Sequence, residues 1–481
     1  MSPALERKTI TIKPSDAKSW SLCARRVWFD NHLPEGMTTE IDPFDQLIID
    51  QGLAHEQNVL NELSAMHDVQ KATSVEHTAQ LMNDGVEVIY QAQLSIPEEG
   101  FIGYPDFLIR QDSGEYQPAD AKLARSTDDK KEIKVQLGLY RRILGTSLPG
   151  LVYLGTGDVS EIGNEVNPIV NGFVTEMREV LGNPDQPLVR YSHSKCKICP
   201  YLSVCKPQFI EDDEISLIYG VERRAADKLA QNGINTITDL AAANPDTLPD
   251  VPYLSGFEKK NRAILQAKSW MTGEIFKLND VDIPQGTWVH FDVEDNPLES
   301  SGNKHVYLWG FMKPDYDAAS FEYAWTDTME EDRQGWNEFL ALVEKYQSEY
   351  DDLIIAHYSQ HEVTTIKQYA ERYDMFDHPT VEWLLGEDTP LYDLQKPVLK
   401  SLVLPLQGYG LKDICKHKDL VNFQWEDDES GSQWSIVQFA YFQIEQDPTK
   451  REQIKNAILG YNRDDVLATR RLEEWLRINF I

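Results

Sequence analysis

The chain has 481 residues, with 46 Lys and Arg against 79 Asp and Glu and a net charge of −33 at pH 7. That length exceeds a single domain of roughly 100–200 residues, and 41% hydrophobic with 26% charged residues is a globular composition, which excludes a small stapled fold and a disordered or fibrous chain. The acidic balance excludes coating of nucleic acid by bulk charge, while leaving room for local contact where carboxylates hold divalent ions beside phosphates.

The opening residues, MSPALERKTITIK, hold no signal-peptide core, and no window approaches the roughly 18 apolar residues of a membrane span. A cytoplasmic protein with no membrane partner is expected. Composition and punctuation divide it into residues 1–207, 208–278 and 279–481, an α/β multidomain chain.

In the first region, a helical pattern over Phe44–Leu63 carries Gly52-Leu53-Ala54-His55-Glu56. Alternating stretches over Gly85–Ile96 and Glu98–Ala124 read as a strand meander, and Lys130–Leu144 reads as a helix. Tyr104-Pro105-Asp106 is placed in one strand and Asp120-Ala121-Lys122 in the next. Period-two geometry sets Asp120 and Lys122 on one face, where a carboxylate for a divalent ion and an ammonium for positioning water can meet at one phosphate. Gln136 and Tyr140 follow one helical turn apart, with Lys130, Lys134 and Arg141 as a candidate phosphate-binding edge.

Cys196-Lys197-Ile198-Cys199 and Cys205 put three of the five cysteines within ten residues, and Cys23 stands far upstream. In a reducing compartment such crowding points to a metal centre rather than a disulfide framework. Tetrahedral zinc, an iron–sulfur cubane and unrelated core thiols all accommodate the spacing. Cys415 falls outside it and reads as an ordinary buried thiol.

In the second region, Gly220-Val221 and Gly233-Ile234 each precede a short helix. This resembles the helix-hairpin-helix module, which offers backbone N–H groups to a phosphate; two linker helices are the alternative.

The third region opens with strands over Trp288–Val293, Val306–Met312 and Asp352–His357 and closes with an amphipathic helix. Asp292 and Glu294 share a strand face, and Tyr461 and Asp465 lie one helical turn apart. Asp393 is a candidate supporting residue, and the exonuclease resemblance given below adds Glu362 as a further acid. Two Mg²⁺ or Mn²⁺ ions on Asp292, Glu294, Glu362 and Asp465 would serve an in-line phosphodiester hydrolysis, with Tyr461 orienting the water.

The motifs between Cys23 and Cys205 resemble RecB-type nucleases with an iron–sulfur staple, including AddB and the CRISPR adaptation exonucleases, where one cysteine precedes the nuclease motifs and three follow. The resemblance implies a restriction-endonuclease-like PD-(D/E)xK domain and a 4Fe–4S cluster on Cys23, Cys196, Cys199 and Cys205. It further implies metal ligation by His55, Asp106 and Asp120, catalysis by Lys122, and substrate contact by the Gln136 and Tyr140 element. Asp120 stands where many members have Glu.

The third region resembles the tyrosine-bearing branch of DEDD exonucleases on a ribonuclease H-like α/β domain, with Asp292, Glu294, Glu362, Tyr461 and Asp465 as its catalytic set. Glu362 departs from the usual Asp. The whole order resembles a family of bacterial RecB-like nucleases. That implies a metal-dependent exonuclease on single-stranded or end-containing DNA, in repair, recombination or defence, with a helicase as a conceivable partner. A non-catalytic DNA-binding adaptor with decayed sites is one alternative. An RNA-processing exonuclease is another, since nothing in the sequence reads the 2′-hydroxyl.

Overall fold

The computed structural model describes residues 10–37, 41–299, 303–315, 320–426 and 432–481. These form two units, one of residues 10–189 with 198–205, the other of residues 190–197, 206–299 and 303–481.

The first unit holds strands β1 Val69–Lys71, β2 Val88–Tyr90, β3 Leu94–Ile96, β4 Phe101–Gly103, β5 Phe107–Arg110, β6 Tyr116–Lys122, β7 Gly150–Leu154 and β8 Val159–Ile162. Six make one sheet in the order β1-β2-β5-β6-β7-β8, and β3 and β4 form a separate hairpin. Alternation assigns the faces. Phe107 and Ile109 pack with Val59 and Leu63 of helix Pro43–Met66, while Leu108 joins Val135 and Leu139 of helix Lys131–Leu144. Tyr116 lies on the second face, so Asp120 and Lys122 of the same strand point toward helix Lys131–Leu144.

Two expectations change here. Asp106 is not in a strand: residues 104–106 form the irregular link between β4 and β5, because Pro105 has no N–H to give a ladder. The meander also gains β1, which pairs in parallel with β2.

The second unit holds β9 Phe276–Lys277, β10 Thr287–Asn296, β11 His305–Met312, β12 Phe321–Trp325, β13 Leu353–His357, β14 Leu391–Asp393 and β15 Leu402–Val403. Its main sheet runs β12-β11-β10-β13-β14, with β10 antiparallel to β11 and parallel to β13; β9 pairs with β15. On β10, Val289, Phe291 and Val293 pack with Trp309, Trp336 and Phe339 on the side of helix Asp332–Glu349. Each fully buried aromatic there contributes roughly 1.5–3 kcal/mol. The alternate residues Trp288, His290, Asp292 and Glu294 face the 33-residue helix Pro448–Phe480, where His290 Nε2 meets Glu473 at 3.3 Å. That helix starts where Asp447 accepts from the amides of Thr449 and Lys450 and Pro448 presets the first turn.

Residues 206–278 fall within this second unit. Helix Phe257–Thr272 buries Ile264 and Ala267, and its Gln266 Nε2 donates to the carbonyls of Leu404 at 2.6 Å and Leu406 at 3.2 Å. The short helices Arg223–Ala230 and Ile237–Ala242 flank a turn in which Gly233 has φ +84°. Among the described residues no helix is long and apolar enough to cross a membrane.

Candidate active site

Strand β10 and the closing helix bring Asp292, Glu294 and Asp465 together, with a ligand-capable oxygen from each within 4.8 Å of the others. Among the described residues this is the one group of three or more His, Cys, Asp or Glu so arranged. Asn462, fully buried, holds the acidic pair: its Nδ2 donates to Asp292 Oδ2 at 2.7 Å and lies 3.4 Å from Glu294 Oε1. Opposite Asp292 on β11 stands Gly310, where a Cβ would overlap Asn462 Oδ1. A glycine is what lets the helix side chain reach the strand.

Asp465 Oδ1 accepts from Trp425 Nε1 at 2.6 Å. Lys412 Nζ is 3.0 Å from the Tyr461 hydroxyl and 3.9 Å from Asp465 Oδ1, and the Tyr461 hydroxyl also bonds the Asp465 carboxylate. The Trp434 ring lies 5.5 Å from that of Tyr461.

Burial, then the neighbouring charges of Glu294 and Asp465, push the Asp292 carboxyl well above its ordinary range. Burial and Asp465 push Glu294 up to about 8. Burial also raises Asp465, against the Lys412 charge and the Trp425 hydrogen bond. Three carboxylates that repel one another in a partly desolvated site form a ready seat for a hard divalent cation.

Glu362 does not join that group. It starts helix His361–Arg372, is buried, and its Oε2 lies 3.2 Å from His357 Nδ1, although its charge reaches Asp292. Asp393 supports the preceding loop, accepting from the amides of Ser359 and Gln395 at 2.9 Å each and from Gln360 Nε2 at 3.0 Å. It thereby holds Ser359 at φ +87°, a conformation few non-glycine residues adopt.

Residues 289–477 match the family model of the RNase_H superfamily. Members of that superfamily are typically metal-dependent nucleases, and the matched stretch contains every residue of the carboxylate group. The carboxylate group therefore lies within the RNase H-like part of the chain. A solved structure titled "Crystal structure of SSO0001" is similar over 42% of this chain and 88% of its own, at 17% identity and a TM-score of 0.22. No curated protein matches.

Sequence reasoning did not pick out Asn462, Gly310, Lys412 or Trp425. For Asn462 there was a signal, since it lies three residues before Asp465 on a helix whose face was already assigned. Gly310 lies in a strand that the alternation marks, but its pairing with Asp292 is not a local pattern, and Lys412 and Trp425 come from segments with no periodic pattern.

In the first unit, Asp106 and Asp120 are locked together: the Asp106 amide donates to Asp120 Oδ1 at 3.0 Å and the Ala121 amide to Asp106 Oδ2 at 2.8 Å. Lys122 Nζ lies 2.9 Å from Asp120 Oδ2. Burial and the Asp120 charge hold the Asp106 carboxyl well above its ordinary range, while the charges of Asp120 and Asp106 outweigh burial and raise Lys122. Gln136 Nε2 donates to the Tyr140 hydroxyl at 3.2 Å, which donates to the Tyr104 carbonyl at 2.9 Å, so this pair anchors the link that carries Asp106.

His55 is not brought together with Asp106 and Asp120. Its Nε2 lies 3.0 Å from the Tyr153 carbonyl, and His55, Asp106 and Asp120 do not form a group within 4.8 Å. The neighbouring Glu56 does reach the site: it accepts from the Tyr90 hydroxyl at 2.9 Å, and its charge acts on Asp106 and Lys122.

Of the cysteines, Cys23, Cys199 and Cys205 lie in the first unit and Cys196 in the segment counted with the second. Burial raises the Cys205 thiol, against a hydrogen bond from Arg25, and it feels both Cys199 and Cys23. The segment 198–205 is held to the N-terminal helix Ala24–Asn31 by the Tyr201 hydroxyl, which donates to Asp30 Oδ1 at 2.8 Å, and by the Phe29 ring. Cys415 is a core thiol, buried with its Sγ 3.5 Å from the Ala468 carbonyl.

Proposed function

We propose that the chain is a divalent-metal-dependent exonuclease acting on single-stranded or end-containing DNA, with its hydrolytic centre at Asp292, Glu294 and Asp465. The observation that carries this reading is the convergence of those three carboxylates within 4.8 Å in the RNase H-like unit. Mg²⁺ or Mn²⁺ held there would supply Lewis-acid stabilisation of charge at the phosphate. Asn462 orients Asp292, and Tyr461, fixed between Lys412 and Asp465, is placed to orient a water for attack. The helical segment 208–278 would grip the backbone through its hairpin turn at Gly233.

Asp106, Asp120 and Lys122, with His55 as a further metal ligand, make a second hydrolytic site of PD-(D/E)xK type that Glu56 also faces, in keeping with the mutual hydrogen bonds and charges of Asp106, Asp120 and Lys122. Mn²⁺-dependent cleavage of labelled single-stranded DNA and RNA, compared among the wild type, Asp292→Asn, Asp120→Asn and the double variant, tests both. Loss of most cleavage in Asp292→Asn is expected. Full activity in the double variant would place the chemistry at neither site, and a wild type that cleaves nothing would leave a DNA-binding adaptor as the reading.

The four cysteines are proposed to hold a 4Fe–4S staple, in keeping with the order of one cysteine before and three after the first-site residues and with the charges of Cys199 and Cys23 acting on Cys205. Cys199→Ala should lose the brown colour together with iron and sulfide, and should melt at lower temperature. A colourless variant whose stability and first-site activity match the wild type would overturn the staple.

A further inference from the structure

Three clustered carboxylates, Glu294 buried and Asp292 and Asp465 half-buried, impose a charge balance that the nuclease reading leaves open. They bring three negative charges into a partly desolvated site, where uncompensated charge is costly. One divalent ion offsets two of them. The remaining charge faces a side-chain amine already built into the chain: Lys412 Nζ lies 3.9 Å from Asp465 Oδ1.

The lysine is held firmly there. Its ammonium sits over the rings of Tyr461 at 4.4 Å and Trp425 at 5.3 Å, and lies 3.0 Å from the Tyr461 hydroxyl. Trp425 in turn donates to Asp465 Oδ1 at 2.6 Å. Glu362 stands outside that three-acid group, with its carboxylate 3.2 Å from His357 Nδ1.

We propose that this centre takes one divalent ion, on Asp292, Glu294 and Asp465, and that the Lys412 ammonium occupies the role of a second cation, neutralising the acids and fixing the Tyr461 hydroxyl beside the scissile phosphate. The inference rests on the nuclease reading of the same site. Lys412 is on this view a charged member of the hydrolytic centre, and the arrangement favours a site with a modest demand for metal.

Mn²⁺ binding to the full-length chain, followed by the magnetic resonance signal of the free ion, tests it without reference to activity. Asp292→Asn is expected to lower the number of bound ions by one. Lys412→Met should bind its ion tighter by roughly tenfold or more, because a competing unit charge is removed at about 4 Å, and should lose cleavage. Lys412→Arg should keep wild-type Mn²⁺ affinity.

Loss of two ions in Asp292→Asn would overturn the lysine's role and leave the nuclease reading standing. The same holds if Lys412→Met, folded by circular dichroism, binds Mn²⁺ as the wild type does. An ion count that Asp292→Asn does not change would overturn the metal reading itself. The wild-type comparison with Asp292→Asn decides the ion number even if both lysine variants fail to fold.

Discussion

Glu294→Gln is expected to make the metal-free protein more stable above pH 8 by a few kcal/mol while cutting Mn²⁺-dependent cleavage by about a thousandfold. The carboxyl has an ordinary value of 4.5 and stands at about 8 in the fold, raised by burial and by Asp465. A group whose folded value is raised binds its proton more tightly when folded. Stability is therefore greatest at and below pH 4.5, falls as the pH climbs through about 8, and stays low above it.

Glutamine carries no charge to bury, keeps the shape, and escapes that loss. The same substitution removes an oxygen donor that a divalent ion needs, so the gain in stability comes with loss of chemistry. Urea unfolding across this pH range, with and without Mn²⁺, measures it. Mn²⁺ should flatten the wild-type pH dependence, since an ion bound only to the folded state stabilises that state. Unfolding curves of the wild type and Glu294→Gln that coincide at every pH would show that Glu294 is not strained by its neighbours.

Gly310→Ala is expected to destabilise the protein by roughly 1–3 kcal/mol, the scale of overpacking in a close-packed interior, and to lower cleavage as well. The added Cβ overlaps the amide end of Asn462, which is fully buried and held by Asp292, so the side chain has nowhere to retreat without letting go of the acid. The cost should be specific to that contact. In an Asn462→Ala background the glycine substitution should cost far less, giving a coupling energy on the order of 1 kcal/mol by a double-mutant cycle, while cleavage stays low because Asp292 has lost its partner. Equal costs in the two backgrounds would mean that the strand tolerates the methyl group by another route.

Much of this site was legible because it follows from backbone periods. Asp292 with Glu294, and Asp120 with Lys122, are two residues apart on strands, so one face was the only placement open to each pair. The amphipathic end of the chain announced its helix, but not its length. Its true start depends on Asp447 and Pro448, a capping pair that lies outside the apolar pattern.

Other parts were hidden for reasons of the same kind. Lys412 and Trp425 come from a five-residue helix and an irregular stretch, and meet Tyr461 and Asp465 across 49 and 40 residues of sequence, a distance no local pattern spans. His55 and Glu56 are adjacent, and a step of one residue turns a helix by about 100°, enough to give the two side chains different neighbours. Pro105 ended the ladder that would have put Asp106 in a strand.

The bond between Asn462 and Asp292 joins positions 170 residues apart. During synthesis at roughly 5–20 residues per second, strand β10 is complete some ten to thirty seconds before the helix that supplies Asp465 has been made. Through that interval the nascent chain carries Asp292 and Glu294 with neither Asn462 nor Asp465 to complete their site. The three-acid group is thus complete only once the helix Pro448–Phe480 has been made and has docked on the sheet.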